Sequence, residues 1–225
     1  MSPRNRWHRH IRLGIAGVAI AAFALATACG GDDQKSSSDG NVSAGEDASW
    51  EGAFVTPALE KPDFVLTDTS GKPFNIKKNT RGYVTLLYIG YLHCPDICPQ
   101  HMADLSATFK QLPATITSRV RVVFVTADPD RDTPELIRKW LDGFNRGFIG
   151  LYGTQAQVDD FQRLLGIEPA EKNDLGDGNY TVSHAAYVMA FGTDDLAHLV
   201  YPSGITVATW LHDLPKLVKE GWKQP

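Results

Sequence analysis

The sequence predicts an α/β fold with a mixed central sheet, helices on both of its faces and a β-hairpin extension on its N-terminal side. Two apolar runs, 83–89 and 120–126, have the length and the β-branched and aromatic content of strands buried on both faces. A helical pattern follows each of them. Two further strand patterns, 182–191 and 196–201, adjoin across Gly192 to Asp195. Strands separated by helices and then a late hairpin indicate a mixed sheet.

The other elements follow from local signals. Two short β-prone runs flank Ser70-Gly71-Lys72 within residues 63–76, which predicts the hairpin. Asp132 or Thr133 can cap a helix that Pro134 opens. Helices are predicted over 99–112, 134–144, 154–165 and 206–222, the last bent at Pro215, with a short strand over 148–152 and a loop over 168–179.

The first 28 residues have the pattern of a signal peptide. They hold four arginines and no acidic residue, and residues 13–28 carry no charge. Small residues then lead into Cys29, which resembles a bacterial lipoprotein signal with Cys29 as the lipidated first residue, although Leu25 stands four rather than three positions before it. An ordinary cleaved signal and an uncleaved membrane anchor are the alternatives, and sixteen residues are short for a span.

The rest of the chain divides by composition into a linker and one domain. Residues 29–50 consist largely of Gly, Ser and Asp, with one Asn and almost nothing to bury, which predicts a flexible linker, and residues 51–225 form the predicted domain. Removing residues 1–28 takes away four positive charges, so the formal net charge changes from −4 to −8. This acidic balance argues against nucleic acid as a partner and against electrostatic docking on anionic lipid.

The chemistry concentrates in residues 90–101, Gly-Tyr-Leu-His-Cys-Pro-Asp-Ile-Cys-Pro-Gln-His, directly after the first buried strand. Proline follows both Cys94 and Cys98, which predicts extended backbone at both cysteines and a helix that opens at Pro99. Cys98 then lies at the helix entrance, where the dipole favours the thiolate. A cysteine pair between a central strand and its helix is a thioredoxin-like placement.

The residues alone leave two interpretations of this pair open. The two sulfurs can form a disulfide, or they can share one soft metal ion. A purely structural disulfide explains the pair poorly, because closing so small a loop removes little chain entropy.

Three segments of residues 55–222 resemble the Sco/SenC family of membrane-tethered copper proteins with a thioredoxin fold. They are Gly90-Tyr-Leu-His-Cys-Pro-Asp-Ile-Cys-Pro, Asp128-Pro-Asp-Arg-Asp-Thr-Pro and Ser183-His184-Ala-Ala-Tyr. The resemblance implies one copper ion per chain, Cu(I) or Cu(II), held by Cys94, Cys98 and His184. Two thiolates and an imidazole suit copper in either state. The family often has aspartate where this chain has Ser183, and that residue would orient the imidazole.

The resemblance implies a metallochaperone on the outer face of the cytoplasmic membrane, anchored through Cys29. It would pass copper by ligand exchange to the thiolate-rich copper centre of a cytochrome c oxidase subunit. It would also need an extracytoplasmic thiol reductant, because an oxidised cysteine pair cannot bind. A thiol–disulfide oxidoreductase acting on the client's cysteines is the alternative and requires Cys94 and Cys98 but not His184. A copper or redox sensor is a third hypothesis.

Other polar residues near the motif have simpler interpretations. His93 and His101 flank the cysteines and are expected to be outer partners or solvent-facing side chains, and His198 and His212 lack metal-like spacing. The aspartates of residues 128–134 suit a turn and a helix cap, with a secondary role near the metal or a partner left open.

Overall fold

The structure is a computed structural model that describes residues 50–222. The predicted signal peptide (1–28), the lipidation site at Cys29 and the linker up to residue 49 lie outside this range and remain predictions. The strands described are β1 (Ala53–Glu60), β2 (Val65–Asp68), β3 (Pro73–Asn75), β4 (Val84–Gly90), β5 (Val120–Thr126), β6 (Ile149–Tyr152), β7 (Lys172–Gly176), β8 (Asn179–Val182), β9 (Tyr187–Phe191) and β10 (Leu196–Pro202). The helices are α1 (Ile76–Asn79), α2 (Ile97–Gln111), α3 (Ala114–Thr117), α4 (Pro134–Asp142), α5 (Gln155–Leu164) and α6 (Val207–Glu220).

Eight strands form one mixed sheet in the order β1-β10-β9-β4-β5-β6-β2-β3. β4, β5 and β6 run parallel, whereas the other neighbouring pairs are antiparallel. The predicted class, a thioredoxin-like α/β fold with a mixed sheet flanked by helices, is confirmed. The centre of the sheet is parallel because helices connect β4 to β5 and β5 to β6, which returns each strand in the same direction.

The two central strands carry the core of the molecule. Every residue of β4 is buried, and β5 is buried apart from the partly exposed Arg121. Strands covered on both faces need apolar side chains on both, which explains why these two runs are continuous rather than alternating. The edge strands show the opposite pattern, and β1 is mostly exposed.

The N-terminal part of the domain contributes to both edges of the sheet. The predicted hairpin is present as β2 and β3, and β2 also pairs with β6. β1 was not predicted; it pairs with β10 at the opposite edge and contains Pro57 after a cis peptide bond. Its pattern is weak because this edge strand depends on a partner about 140 residues away in the chain.

Local capping explains where the helices begin. Thr133 accepts a hydrogen bond from the Leu136 amide and Pro134 opens α4, as predicted, while Thr154 and Gln157 form a capping box on α5. Both helices end one to two residues before the predicted limits. Within residues 50–222, no helix has both the length and the apolar character needed to cross a bilayer.

The predicted loop over residues 168–179 is wrong in its second half. Residues 172–182 instead form an antiparallel hairpin of β7 and β8, separate from the main sheet, with a turn at Asp177 and Gly178. The predicted strand over 182–191 is likewise divided, because residues 183–186 are not in a strand. All of β7 is exposed, so no buried apolar face marks it in the sequence.

Candidate metal centre

The cysteine motif begins where β4 ends. Gly90 is the last residue of the strand, and the loop that follows leads into α2 at Ile97. Cys94 is 8% exposed and Cys98 is 0% exposed, and both are free thiols. The prediction that Cys98 lies in extended backbone ahead of a helix starting at Pro99 is wrong. Cys98 is the second residue of α2, since proline is tolerated in the first turn, whose N–H groups have no helical acceptor.

A close approach of the backbone at Gly90 makes room for the second sulfur. A Cβ atom at Gly90 would lie 2.7 Å from Cys98 Sγ and 2.8 Å from the ring of Tyr88. Such contacts are shorter than packed atoms allow, so glycine is required for α2 to bring Cys98 this close to the end of β4. The Tyr88 hydroxyl donates a hydrogen bond to Cys98 Sγ at 3.3 Å.

His184 reaches the same place from late in the chain. It lies between β8 and β9, and β9 runs antiparallel to β4 with Met189 opposite Leu87. The beginning of β9 therefore lies beside the end of β4, where the loop of residues 91–96 starts; this loop contains Cys94 and is called the cysteine loop below. The rings of Tyr88 and Tyr91 contact the imidazole edge-on, with centroids 6.0 and 5.5 Å away.

The three side chains converge on one point. His184 Nε2 lies 3.7 Å from Cys94 Sγ and 3.6 Å from Cys98 Sγ, and the three candidate ligand atoms all lie within 4.8 Å of one another. Nitrogen and sulfur bonds of about 2.0–2.3 Å to one shared ion would set the N–S separations at roughly 3.6–3.8 Å. The observed spacing thus fits one ion held by two sulfurs and one nitrogen, without backbone movement.

The backbone favours one tautomer of His184. Nδ1 lies 3.2 Å from the Ala185 carbonyl oxygen, which can only accept a hydrogen bond, and this contact favours the tautomer that has its proton on Nδ1 and leaves the Nε2 lone pair for a metal. Ser183, which stands where the family often has aspartate, instead accepts a hydrogen bond from the Glu171 amide at 2.8 Å. The Ala185 carbonyl thus orients the imidazole, which is the role that the family resemblance assigns to an aspartate at the position of Ser183.

Burial dominates the electrostatics of the site. It raises the pKa of the Cys98 thiol, despite the hydrogen bond from Tyr88, and it lowers the pKa of the His184 imidazole. The prediction that the helix entrance favours the Cys98 thiolate is therefore wrong for the metal-free protein, because desolvation outweighs the dipole. A bound cation reverses this balance by taking the place of the proton on sulfur.

The other histidines are not part of the cluster. His93 is 56% exposed, and its Nδ1 lies 3.8 Å from Asp132 Oδ1. His101 is buried and packs its ring 4.9 Å from that of Tyr88, as an outer partner of the site. His198 pairs with Asp194 and His212 with Asp213, and neither belongs to the group of ligand atoms around His184.

Asp132 does more than the predicted turn and cap. Thr133 caps α4, and the buried Asp132 carboxylate accepts hydrogen bonds from the Leu92 amide at 3.0 Å and the Thr126 hydroxyl at 2.6 Å. Leu92 lies two residues before Cys94, so this carboxylate ties the end of β5 to the cysteine loop.

A second contact set fastens the β7–β8 hairpin. The Tyr180 hydroxyl donates to Asp128 at 2.9 Å, and Arg131 pairs with Asp128, donates to the Tyr180 carbonyl at 3.0 Å and lies 3.5 Å above the Tyr180 ring. The hairpin leads directly into His184. Sequence reasoning missed Tyr88, Arg131 and Tyr180, and only the position of Arg131 between Asp128 and Asp132 was a signal.

The fold and the site together define a class of protein: a thioredoxin-like domain whose cysteine pair and distant histidine form a three-ligand site for a soft metal ion. The sequence profile of the SCO1/SenC family matches residues 55–219, and the chain belongs to this family. The resemblance seen in the sequence is thereby confirmed.

Individual relatives agree with this assignment. The mitochondrial protein SCO2 of Saccharomyces cerevisiae is 34% identical over 136 residues, which cover 60% of this chain and 44% of that protein. Apo Sco1 from Thermus thermophilus superposes with a TM-score of 0.67 at 28% identity, over 77% of this chain and 99% of that one. ScoI of Bradyrhizobium japonicum, solved with copper bound, gives a TM-score of 0.62 at 29% identity, over 71% and 99%. The chain spans 44–64% of the length of the curated relatives that it matches.

Proposed function

We propose that this protein binds one copper ion through Cys94, Cys98 and His184 and delivers it during assembly of a respiratory oxidase. The observation that carries the proposal is the convergence of two sulfurs and one imidazole nitrogen within 4.8 Å of one another. Thiolates and imidazole form a soft donor set suited to copper. A relative with the same fold was solved with copper bound, which supports this choice of metal.

Copper is the cargo in this proposal, and it leaves by exchange of ligands. The two sulfurs are unequal, since Cys94 is 8% exposed and Cys98 is fully buried beside Tyr88. A thiolate of the client therefore meets the ion on the Cys94 side and replaces Cys94 first. Cys98 and His184 hold the ion until the client supplies further ligands. A three-ligand site favours this path because it leaves a position open for the incoming group.

The client in this proposal is the thiolate-rich copper centre of a cytochrome c oxidase subunit, and membership of a family whose members include cytochrome c oxidase assembly proteins supports an oxidase as the client. The site must be reduced to accept the ion, because a disulfide offers no thiolates. We therefore include an extracytoplasmic thiol reductant among the partners. Both cysteines are free thiols in the structure, which is the state that binding needs.

The location is also part of the proposal. Residues 1–28 act as a signal peptide, and Cys29 is lipidated on the outer face of the cytoplasmic membrane. A lipid chain supports anchoring that the acidic mature chain cannot achieve by charge. Replacing the thiol in Cys29→Ser should abolish incorporation of a radiolabelled fatty acid into the protein, because the sulfur that would carry the lipid is absent. A Cys29→Ser protein that takes up as much label as the wild type contradicts lipidation of Cys29.

A second function uses the same cysteines without the histidine. Cys94 and Cys98 are free, and their sulfurs lie within 4.8 Å of each other, so they can exchange electrons with a client's disulfide. In that reaction the Cys94 thiolate attacks the client disulfide, Cys98 resolves the mixed disulfide, and the client leaves as a dithiol. The two electrons come from this cysteine pair, which a thiol reductant must then restore.

His184→Ala separates the two functions. Copper delivery predicts that this variant loses at least tenfold in copper affinity, since even the loss of an outer partner of a metal ligand costs about 10–100-fold. Absorption titration of the reduced protein with Cu(II) measures the sulfur-to-copper charge-transfer bands and the stoichiometry. Dithiol exchange with glutathione is measured on the same samples.

The control is His93→Ala, which removes an exposed imidazole that flanks the motif but lies outside the cluster. We expect it to retain copper. Full copper binding by His184→Ala would overturn the proposed site, and absence of binding by the wild type combined with rapid dithiol exchange would favour the oxidoreductase.

A further inference from the structure

Tyr88 places a buried hydroxyl at the metal site, and neither proposed function assigns a role to this hydroxyl. It lies on β4 two residues before Gly90, its side chain is fully buried, and its hydroxyl donates to Cys98 Sγ at 3.3 Å. A buried tyrosine needs a partner for its hydroxyl, and here that partner is a sulfur rather than a backbone carbonyl.

The surroundings hold this hydroxyl in place. The Tyr88 ring packs 4.9 Å from the ring of His101, 6.3 Å from Phe124 and 6.0 Å from His184. Its strand is paired on both sides, with β5 and with β9. Because the ring is packed among side chains of α2, β5 and the segment before β9, it cannot rotate away from the sulfur without displacing one of them. The donor is preorganised before any ion or partner binds.

The contact also distinguishes the two cysteines. Cys98 is fully buried, and its sulfur receives the Tyr88 hydroxyl. Cys94 lies nearer the surface and approaches the same His184 nitrogen at 3.7 Å. Hydrogen bonds to a cysteine sulfur withdraw electron density from it and change the reduction potential of a copper ion bound there. Such a bond also stabilises the reduced sulfur over the disulfide, in which the sulfur is a poorer acceptor.

We propose that Tyr88 is a positioning residue that fixes Cys98 as the retained ligand and sets the redox poise of the site through its O–H···S hydrogen bond. The part that concerns bound copper rests on the proposed function. The part that concerns the metal-free cysteine pair does not. With copper bound, the Tyr88 hydroxyl stabilises the reduced copper ion, and without copper it stabilises the dithiol over the disulfide. Its removal therefore makes the site more reducing in both cases.

Tyr88→Phe tests this proposal, because it deletes the hydroxyl and keeps the ring. The sulfur-to-copper charge-transfer band of the Cu(II)-loaded variant should move to longer wavelength, since a sulfur without a hydrogen bond gives up electron density more easily. In metal-free protein equilibrated with glutathione buffers, the ratio of disulfide to dithiol should rise about three- to tenfold, as expected from the loss of one hydrogen bond.

The matched control is Tyr201→Phe. Tyr201 is also fully buried, and its hydroxyl donates to Asp213 at 2.8 Å rather than to sulfur. This variant should lose stability without a change in the band or in the disulfide ratio. If Tyr88→Phe does not fold, 3-fluorotyrosine at position 88 replaces it, because the more acidic phenol is a stronger donor and should shift both readouts in the opposite direction.

The two readouts keep this proposal separate from the proposed function. A wild-type protein that binds no copper overturns copper delivery. In that case the ratio of disulfide to dithiol in the metal-free protein still tests the role of Tyr88 by itself. A Tyr88→Phe protein that folds and matches wild type in both band position and disulfide ratio overturns the role of Tyr88.

Discussion

Cys98 shows at the scale of one residue how two physical effects compete at this site. The helix dipole lowers a thiol pKa, and burial raises it, and here burial prevails. The ordinary consequence of a raised pKa would be an inert thiol. A soft cation changes the outcome, because it replaces the proton and satisfies a buried sulfur that water cannot reach.

Gly90 gives a prediction at this scale. Gly90→Ala adds a methyl carbon that would lie 2.7 Å from Cys98 Sγ and 2.8 Å from the Tyr88 ring. We expect a loss of about 1–3 kcal/mol in the free energy of unfolding, as for other overpacked cores, and weaker copper binding. Urea denaturation and the absorption titration measure the two effects.

The control for this variant is Gly147→Ala, which meets only the Asn145 side chain at 3.2 Å among nearby atoms. It should bind copper as the wild type does. An unchanged stability and affinity in Gly90→Ala would show that the sulfur does not need this close approach.

His184 gives a second prediction, on pH. Burial lowers the pKa of the folded-state His184 below the ordinary value of about 6.5. When the pH falls below about 6.5, the unfolded chain therefore binds a proton at this imidazole that the folded protein does not bind. The metal-free protein should therefore lose stability as pH falls from 7.5 to 5.5, and His101 contributes in the same direction. Urea denaturation across this range measures the loss.

His184→Asn removes the titrating imidazole and so measures how much of the acid-induced loss of stability is due to His184. The loss of stability on acidification should be smaller in this variant than in the wild type. Equal losses in the two proteins would mean that His184 titrates alike in the folded and unfolded states.

At the scale of the element, the β7–β8 hairpin and the loop after β5 act together to place the histidine. Tyr180 on β8 contacts Asp128 and Arg131, and Asp132 holds the cysteine loop through the Leu92 amide. One short segment thus contacts both the hairpin that precedes His184 and the loop that carries Cys94. Its sequence resembles an ordinary turn and helix cap, because its other contacts come from distant parts of the chain.

Arg131→Ala tests this arrangement. The variant removes the ion pair with Asp128 and the stacking on Tyr180, so the hairpin should open more often and copper affinity should fall by roughly 10–100-fold, the range seen for outer partners of metal ligands. Hydrogen–deuterium exchange should increase over residues 172–186 while β4 and β5 stay protected.

Arg163→Ala is the comparison, since it breaks an exposed ion pair with Asp160 that is expected to contribute little. Exchange that stays at the wild-type level in the Arg131→Ala hairpin would mean that other contacts hold it.

At the scale of the whole molecule, the site joins two parts of the chain that are 86 residues apart, Cys98 and His184. A bound ion crosslinks the loop after β4 to the segment before β9. It should therefore stabilise the fold as a ligand specific for the folded state, by about 4 kcal/mol when free copper exceeds its dissociation constant 1,000-fold.

Thermal denaturation of reduced protein with and without Cu(I) measures this gain. Cys98→Ser should abolish it, because a hydroxyl is a poor ligand for a soft ion. A copper-dependent rise of equal size in Cys98→Ser would place the ion elsewhere on the molecule.

The amino-acid sequence by itself determined the class of fold, the buried central strands and the cysteine pair at the end of the first of them, whereas His184 was chosen through the resemblance of its segment to the Sco/SenC family. The first two features and the cysteine pair are local: a continuous apolar run specifies a buried strand, and two cysteines with three residues between them need no distant partner to be noticed. Tertiary structure decided what depends on residues far apart in the chain. The pairing of β9 with β4 brings His184 to the sulfurs, the bare backbone of Gly90 admits Cys98, and Tyr88 supplies the hydrogen bond. The helix dipole at Cys98 could be inferred from the sequence, but the burial that outweighs it arises only when the helix packs on the sheet.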